Sequence, residues 1–174
     1  MESQIIKRAI SGDSEALTML INKYKDVAYN LALSITKNKE YAQDITQNSF
    51  LNVLENISRF RSDSKFSTWL YRIVYNQSIG YIKKTNRLNS IKREPAAIVN
   101  YPESNENKND DYQELYNAID SLEDIEKNII MLFYLAEKPV KEISIITNLS
   151  SSNIKVILHR TRKKLKEKMQ YERF

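Results

Sequence analysis

The chain has 174 residues, of which 28% are charged and 41% hydrophobic, with two Gly, three Pro, one His and no Cys. This length accommodates one large or two small domains, and so little Gly and Pro favours a helical protein. Without Cys there is no disulfide framework or thiolate metal site, and a single His leaves the common zinc ligand sets out of reach. No stretch has the apolar length of a signal peptide or a transmembrane helix. We therefore expect a cytoplasmic protein with no membrane insertion and no cofactor.

The net charge of +5 is unevenly distributed along the chain. Residues 1–93 hold 15 Lys or Arg and 8 Asp or Glu, whereas residues 119–174 hold 11 and 8. Between these basic blocks, residues 94–118 hold 1 Lys or Arg and 6 Asp or Glu. Two basic blocks separated by an acidic connector are suited to binding a polyanion at two points. A basic surface with no specific partner gives the same charge counts.

Apolar spacing predicts three helices before residue 58. The first is short and ends at Gly12, and Asp13 caps a long second helix that runs to Lys37. The third helix spans residues 40–57, with an apolar side of Ala42, Ile45, Phe50, Val53, Leu54 and Ile57. Its opposite side presents Asp44, Gln47, Asn48 and Leu51. A lone Leu among polar groups is typical of a face on which a partner helix docks, but an ordinary solvated face has the same composition.

Residues 59–84 combine two Phe, the only Trp, three Tyr and six Lys or Arg. A short polar break opens onto a helix from Thr68 to about Lys84, with Ser67 as its expected N-cap. Aromatic rings beside cations can hold unstacked bases while they counter phosphate charge. The alternative is that Trp69, Leu70, Ile73 and Val74 simply form the buried face of a helix. Gly80 weakens this helix by about 1 kcal/mol relative to Ala, which suggests close packing or an early end.

The helical pattern stops in residues 86–110, where two Pro and clustered acidic residues predict a flexible linker of roughly 25–30 Å. Residues 111–174 then form a second domain that ends in a helix, a turn and a helix. Pro139 suits the first turn of one helix, Asn148 the turn, and Ser150 or Ser151 the cap of the last helix. The inner seam of that last helix is Ile154, Leu158, Thr161 and Leu165.

The outward side of the last helix is strongly basic, since residues 151–174 contain 8 Lys or Arg against 2 Asp or Glu. In helix-turn-helix proteins the start of the second helix contacts base edges and the flanking cations hold phosphates. A basic terminal helix can also be merely solvated, but the turn spacing and the inner seam favour DNA binding. His159 has no Cys partners, so we interpret it as a groove contact and not as a metal ligand or catalytic base.

Three segments resemble one family. F-R-S-D-S-K-F-S-T-W-L-Y-R-I-V-Y-N looks like the strand-opening segment of the extracytoplasmic-function (ECF) type of bacterial RNA polymerase sigma factors, in the sigma-70 family. D-I-T-Q-N-S-F-L resembles the segment with which sigma factors clasp the coiled coil of the polymerase's largest subunit. N-I-K-V-I-L-H-R-T-R-K-K-L is similar to the helix that recognises the minus-35 element. The resemblance implies an all-α protein with a region 2-like domain over 1–85, a flexible linker over 86–110 and a region 4-like domain over 111–174.

The resemblance also implies a role for individual residues. The polymerase contacts are Asp44, Gln47, Asn48 and Leu51. The pocket for a flipped minus-10 base is formed or supported by Phe60, Arg61, Asp63, Ser64, Lys65, Trp69, Arg72 and Asn76. The minus-35 contacts are Ser152, Asn153, Lys155, Val156, His159, Arg160, Arg162 and Lys163.

The family's pattern is not followed everywhere. Its common Gly-Thr-Val opening of the minus-35 helix is here Ser152-Asn153-Ile154, and a frequent Ser-Arg pair is Val156-Ile157. The lost hydroxyl and guanidinium are hydrogen-bond donors, which puts the upstream sequence preference in doubt; the alternative for Ile157 is a buried position.

The expected partners are core RNA polymerase, through its largest-subunit coiled coil and its flap region, promoter DNA, and an anti-sigma factor. We expect a protein that directs initiation and melting without catalysing a covalent step. One rival is a stand-alone helix-turn-helix regulator that binds duplex DNA without polymerase. Another is a nuclease, for which the acidic residues show no metal-binding spacing.

Overall fold

The computed structural model describes residues 2–92, 117–119 and 121–171. These residues are predominantly helical, contain no strand and fall into two compact units, so the predicted all-α, two-domain fold is confirmed. The first unit contains residues 2–92, and the second contains most of the described residues from 117 onward. In these segments, no helix combines the length and hydrophobicity that a bilayer crossing requires.

Four helices build the first unit: α1 (Glu2–Ile10), α2 (Ser14–Thr36), α3 (Lys39–Asn56) and α4 (Phe66–Lys92). The predicted end of α1 and the predicted cap of α2 are confirmed. Gly12 has a φ of 90°, and the Asp13 side chain accepts hydrogen bonds from the N–H groups of Glu15 and Ala16. Lys37 ends α2 in the left-handed conformation, and the Asn38 side chain caps α3. A 3₁₀ turn, Ile57–Arg59, follows α3 directly.

The core of the first unit lies around α2, which packs against α1, α3 and α4. Its apolar stripe buries Ala16, Leu20, Tyr24, Ala28, Leu31, Ala32 and Ile35. The facing helices contribute Ala42, Ile45, Phe50, Val53, Leu70 and Val74, all less than 9% exposed. Because this core fixes the backbones of α3 and α4, it also fixes the direction of the polar side chains on their outer faces.

The structure corrects both ends of α4. The helix begins at Phe66, so Ser67 lies within the first turn and is not the N-cap; the N–H groups of Thr68 and Trp69 instead donate to the carbonyl of Lys65. The helix also continues to Lys92, so residues 86–92 are helical where a linker was predicted. The remainder of the predicted linker, 93–110, lies outside the described residues.

Gly80 marks neither close packing nor a helix end. It is exposed within α4, and a Cβ added to it would meet nothing within 4 Å outside its own helix. The packing explanation for this glycine is therefore wrong.

The second unit contains α5 (Asp124–Ile130), a π-helical turn (Met131–Leu135), α6 (Val140–Thr147) and α7 (Ser151–Tyr171). Asn148 has a φ of 62° in the turn between α6 and α7, which confirms the predicted helix, turn and helix. Pro139 is the N-cap of α6, one residue before its first turn. The Ser150 hydroxyl accepts a bond from the N–H of Asn153 and so caps α7.

The inner side of α7 follows the predicted seam. Ile154, Leu158 and Thr161 are buried and Leu165 is half-buried. Ile157 is buried as well, at 7% exposure, so it takes no part in the outward face.

Candidate functional site

The first candidate surface is the outer face of α3. Asp44, Gln47, Asn48 and Leu51 are all exposed on this helix. Leu51 keeps 54% of its surface in contact with solvent. A single exposed Leu is common on protein surfaces, so the neighbours of Leu51 decide whether it belongs to an apolar patch.

Leu54 belongs to this outer face as well. The sequence pattern placed it on the buried side of α3, but it is 39% exposed. Because Leu51 and Leu54 are three residues apart on one helix, their side chains are neighbours and form an apolar pair beside the polar groups. Tyr41, one turn before Asp44, is 40% exposed, and its ring centroid lies 4.4 Å from that of Tyr81 on α4.

The second candidate surface is the loop 60–65 and the start of α4. Phe60, Phe66 and Trp69 form an aromatic cluster in which the Phe60 and Trp69 ring centroids are 5.1 Å apart at 32°. Phe66 is buried at 1% exposure, whereas Phe60 and Trp69 are half-buried. The cluster therefore anchors the loop and still presents aromatic surface to solvent.

The polar residues predicted at this surface lie on its outside. Arg61, Asp63 and Lys65 are exposed, Ser64 is half-exposed, and Ser62 adopts a positive φ of 59° that bends the loop. On α4, Arg72 and Asn76 are exposed one turn apart. The structure thus places six of the eight predicted residues in the loop and the first turn of α4, and Arg72 and Asn76 further along the exposed side of α4.

Tyrosines and a glutamate secure the layer below this junction. The Tyr24 ring packs against Phe66 and Tyr71, and its hydroxyl donates to the Glu2 carboxylate at 2.7 Å. Burial, together with the nearby negative charge of Glu2, raises the pKa of Tyr24 and of Tyr71 well above the usual value. Both hydroxyls therefore stay neutral. The Tyr24 hydrogen bond ties α1 to α2, and its ring contacts with Phe66 and Tyr71 tie α4 to α2.

The third candidate surface is the outward face of α7. Ser152, Asn153, Lys155, Val156, His159, Arg160, Arg162 and Lys163 are all exposed, and Val156 keeps 61% of its surface open. These residues lie along the first half of α7, the second helix of the helix-turn-helix. In helix-turn-helix proteins this part of the second helix enters the major groove.

Several cations on this face also make contacts within the unit. The Arg160 guanidinium lies 3.3 Å from Glu126, the Arg162 Nε donates to the Tyr134 hydroxyl at 2.9 Å, and Lys163 lies 3.8 Å from Glu167. Arg162 also lies over the Phe133 ring, 5.2 Å from its centroid. Lys163 and Glu167 have the i,i+4 spacing of neighbours on one helix, whereas the contacts of Arg160 and Arg162 join residues distant in the chain and were not predictable from helix periodicity.

Glu126 is the centre of this network, with no exposed side-chain surface. Lys164 donates to both of its oxygens, at 2.7 and 2.9 Å, and the N–H of Glu123 donates at 3.3 Å. Burial opposes its negative charge, but these hydrogen bonds and the charges of Lys164 and Arg160 outweigh it and hold the pKa of Glu126 below its usual value. Glu126 therefore fixes α7 onto α5.

Comparison with protein families gives two matches in chain order. The sigma-70 region 2 model matches residues 20–88, and the sigma-70 region 4 model matches residues 112–165. Among curated proteins, the ECF RNA polymerase sigma factor SigW of Bacillus subtilis is 31% identical over 94% of this chain and 94% of its own. The chain belongs to the ECF sigma factors of the sigma-70 family.

A second curated relative and two solved structures are also similar to this sigma factor. The ECF sigma factor SigM of Bacillus subtilis is 30% identical over 82% of this chain and 88% of its own. In fold, the chain resembles the sigma factor RpoE of Bartonella quintana, solved with the anti-sigma factor NepR, with a TM-score of 0.74 at 17% identity over 88% of this chain and 96% of that one. CnrH, solved with the cytosolic domain of CnrY, gives a TM-score of 0.67 at 18% identity over 96% of each chain.

Family membership settles the general function of this sigma factor. It binds core RNA polymerase and promoter DNA and directs the polymerase to promoters, and a stand-alone regulator is not favoured. The sigma factor family is not a family of enzymes. Among the described residues, no group of three or more His, Asp or Glu side chains is arranged to hold a metal ion.

Proposed function

We propose that this sigma factor docks on the coiled coil of the largest polymerase subunit through the outer face of α3. The supporting observation is the exposed apolar pair, Leu51 and Leu54, beside Asp44, Gln47 and Asn48. Apolar anchors surrounded by polar groups are the usual anatomy of a helix-binding surface. The flap region is the expected second polymerase contact, made by the second unit.

The loop 60–65 and the start of α4 then take an unstacked base of the minus-10 element. Phe60 and Trp69 offer aromatic surface for stacking, and Arg61, Lys65 and Arg72 offer positive charge to the backbone of the opened strand. Extruding a base costs a few kcal/mol, so we assign strand opening to the complete holoenzyme and not to this chain alone.

The outward face of α7 contacts the minus-35 element. Lys155 and the flanking Arg160, Arg162 and Lys163 supply phosphate contacts, while Ser152, Asn153, Val156 and His159 face the base edges. The two units act as linked sites on one promoter, so each raises the effective concentration of the other.

Further parts of the proposal rest on the family. The protein acts in the cytoplasm, where its polymerase and promoters are, and catalyses no covalent step itself. An anti-sigma factor, as in the RpoE complex, is a fitting regulator of this chain.

The test is assembly with core polymerase followed by run-off transcription. We expect Asp44→Arg and Leu51→Arg to abolish co-purification with core enzyme while the helical content and melting temperature stay unchanged. Unchanged co-purification of both variants would overturn the assignment of the α3 face. Mapping of the transcript ends would then give the promoters that the holoenzyme selects.

A further inference from the structure

The two central arginines of α7 lie on opposite edges of its exposed face. Residues two apart on an α-helix differ by about 200° around the helix axis, so Arg160 and Arg162 point to nearly opposite sides. Leu158 and Thr161, which are buried, lie between these two directions and face the rest of the unit. One edge of α7 therefore carries Arg160, with Lys164 one turn later, and the other edge carries Arg162.

Glu126 of α5 holds the first edge. The Arg160 guanidinium lies 3.3 Å from its carboxylate, and the Lys164 amino group donates to it at 2.7 and 2.9 Å. Glu126 has no exposed side-chain surface, whereas the side chains of Arg160 and Lys164 are 56% and 39% exposed. Because two exposed cations share one buried carboxylate, this edge remains positively charged toward solvent.

Tyr134 holds the second edge from the π-helical turn, Met131–Leu135. Its hydroxyl accepts from the Arg162 Nε at 2.9 Å, and the guanidinium lies over the rings of Phe133 and Tyr134, 5.2 and 5.7 Å from their centroids. Tyr134 is 57% exposed, so this contact lies at the surface. The bond to Tyr134 uses the Nε–H of Arg162, which leaves the N–H groups of both terminal nitrogens for a phosphate.

The dimensions of the major groove give these two edges different partners. The groove is about 12 Å wide, and an α-helix with its side chains is about 10–12 Å across. A helix in the groove therefore lies close to the backbones of both DNA strands. Two edges on opposite sides of that helix face opposite strands.

We propose that Glu126 and Tyr134 are positioning residues, each for one strand of the upstream DNA. Glu126 directs Arg160 and Lys164 toward phosphates of one strand. Tyr134 directs Arg162 toward phosphates of the other strand. Long cationic side chains lose rotamer freedom when they bind a phosphate, and a side chain that is already held in place loses less. This inference rests on the proposed contact of α7 with the minus-35 element.

A scan with uncharged phosphates tests the division between the strands. Holoenzyme is titrated with the upstream duplex of a promoter mapped by run-off transcription, in which one phosphate at a time, on either strand, is replaced by a methylphosphonate. We expect the wild type to lose affinity at phosphates of both strands along one major groove. Arg162→Ala should lose this sensitivity on one strand only, and Arg160→Ala on the other strand only. Lys25→Ala, at an exposed position of α2, should keep the wild-type profile.

The possible outcomes separate this proposal from the function on which it rests. Loss of sensitivity on the same strand in both arginine variants, or an unchanged profile in either of them, would overturn the division between strands. A wild-type holoenzyme that is insensitive on both strands would instead refute the contact of α7 with the upstream element, and this proposal would fail with it.

Tyr134→Phe removes the hydroxyl and keeps the ring beside Arg162. Binding should weaken about threefold, because one side chain must then be ordered on binding. The salt dependence should stay unchanged, since Arg162 keeps its charge. In the Arg162→Ala background, Tyr134→Phe should have no further effect, because the tyrosine acts through the arginine. Wild-type affinity for Tyr134→Phe, or an equal loss in both backgrounds, would contradict its positioning role.

Glu126→Gln replaces one carboxylate oxygen with an amide group that cannot accept from a cation. Upstream binding should weaken about threefold, with reduced methylphosphonate sensitivity only on the strand assigned to Arg160. Ile129→Val is the matched control, because Ile129 is completely buried on the same helix and its truncation lowers stability without removing an ion-pair partner. This control should bind as the wild type does. Equal losses for the two variants would show that Glu126 acts only through the stability of the unit, and its positioning role would be rejected.

Discussion

Truncation of Leu51 should weaken binding to core polymerase by a predictable amount. Complete burial of a Leu side chain is worth about 1.5–3 kcal/mol. Leu51 is 54% exposed in the free protein. Docking can therefore gain about half of that free energy, roughly 0.8–1.5 kcal/mol, and Leu51→Ala should raise the dissociation constant about four- to twelvefold. Leu54, 39% exposed, should give a smaller effect in the same direction.

The assay is a titration of labelled core polymerase with each variant, alongside thermal unfolding of the free protein. Because these side chains are exposed, their truncation should change the free energy of unfolding by no more than about 0.5 kcal/mol. Met19→Ala is the control, since Met19 is 44% exposed on α2, away from the α3 face. Wild-type affinity for Leu51→Ala, or an equal loss for Met19→Ala, would refute the docking assignment.

Five further variants test the second unit and α4. Lys155→Ala should weaken binding to the upstream duplex and reduce its salt slope by about 0.9 without lowering the melting temperature, whereas Arg160→Ala should also lower that temperature because its pair with Glu126 is lost. Glu126→Gln should reduce the free energy of unfolding at neutral pH and make that free energy less dependent on acid pH, as measured by urea titrations. Folding lowers the pKa of Glu126. The stabilisation from its carboxylate is therefore present above the pKa of the unfolded state and is lost as pH falls through the pKa of the folded state. Gly80→Ala should raise the free energy of unfolding by about 1 kcal/mol, because the site is exposed, helical and open; a loss of stability would show a hidden constraint. Thr161→Val should be neutral or stabilising by about 1 kcal/mol, because the Thr161 hydroxyl is buried with no hydrogen-bond partner in the described part of the chain.

Local rules predicted much of the fold. Asp13 and Asn148 each lie where a helix must start or a turn must take a positive φ, and the structure places them there. The end of α4 was missed because the expected break rested on composition. The first proline after Gly80 is Pro95, so no residue forces the helix to stop at 86.

The candidate surfaces were harder to predict because exposure depends on what covers a helix. Leu54 fits an apolar face by spacing, yet the neighbouring helices do not extend over it, and only the packed structure shows this. The pairing of Arg160 with Glu126 joins residues 34 positions apart and follows no helical period. The small cavity lined by α1 and the loop 60–65 likewise depends on how that loop folds back onto a helix about 50 residues earlier.

The contacts of the α7 cations bear on how the upstream element is recognised. Arg160, Arg162 and Lys163 each already bond or pair with another side chain of the unit, whereas Lys155 makes no ion pair with any residue that the structure describes. An arginine held by a carboxylate or an aromatic ring is pre-organised and loses little rotamer entropy when it meets a phosphate, but it is not free to turn toward a base edge.

Few of the residues expected to face the groove can form hydrogen bonds with bases. Val156 has no hydrogen-bonding side chain and Ile157 is buried, which leaves Ser152, Asn153 and His159 as the polar groups that can contact bases. Phosphate contacts supply affinity and register but carry no sequence information. We therefore infer that the second unit mainly anchors and positions the holoenzyme, and that promoter discrimination rests more heavily on the loop 60–65 and the start of α4.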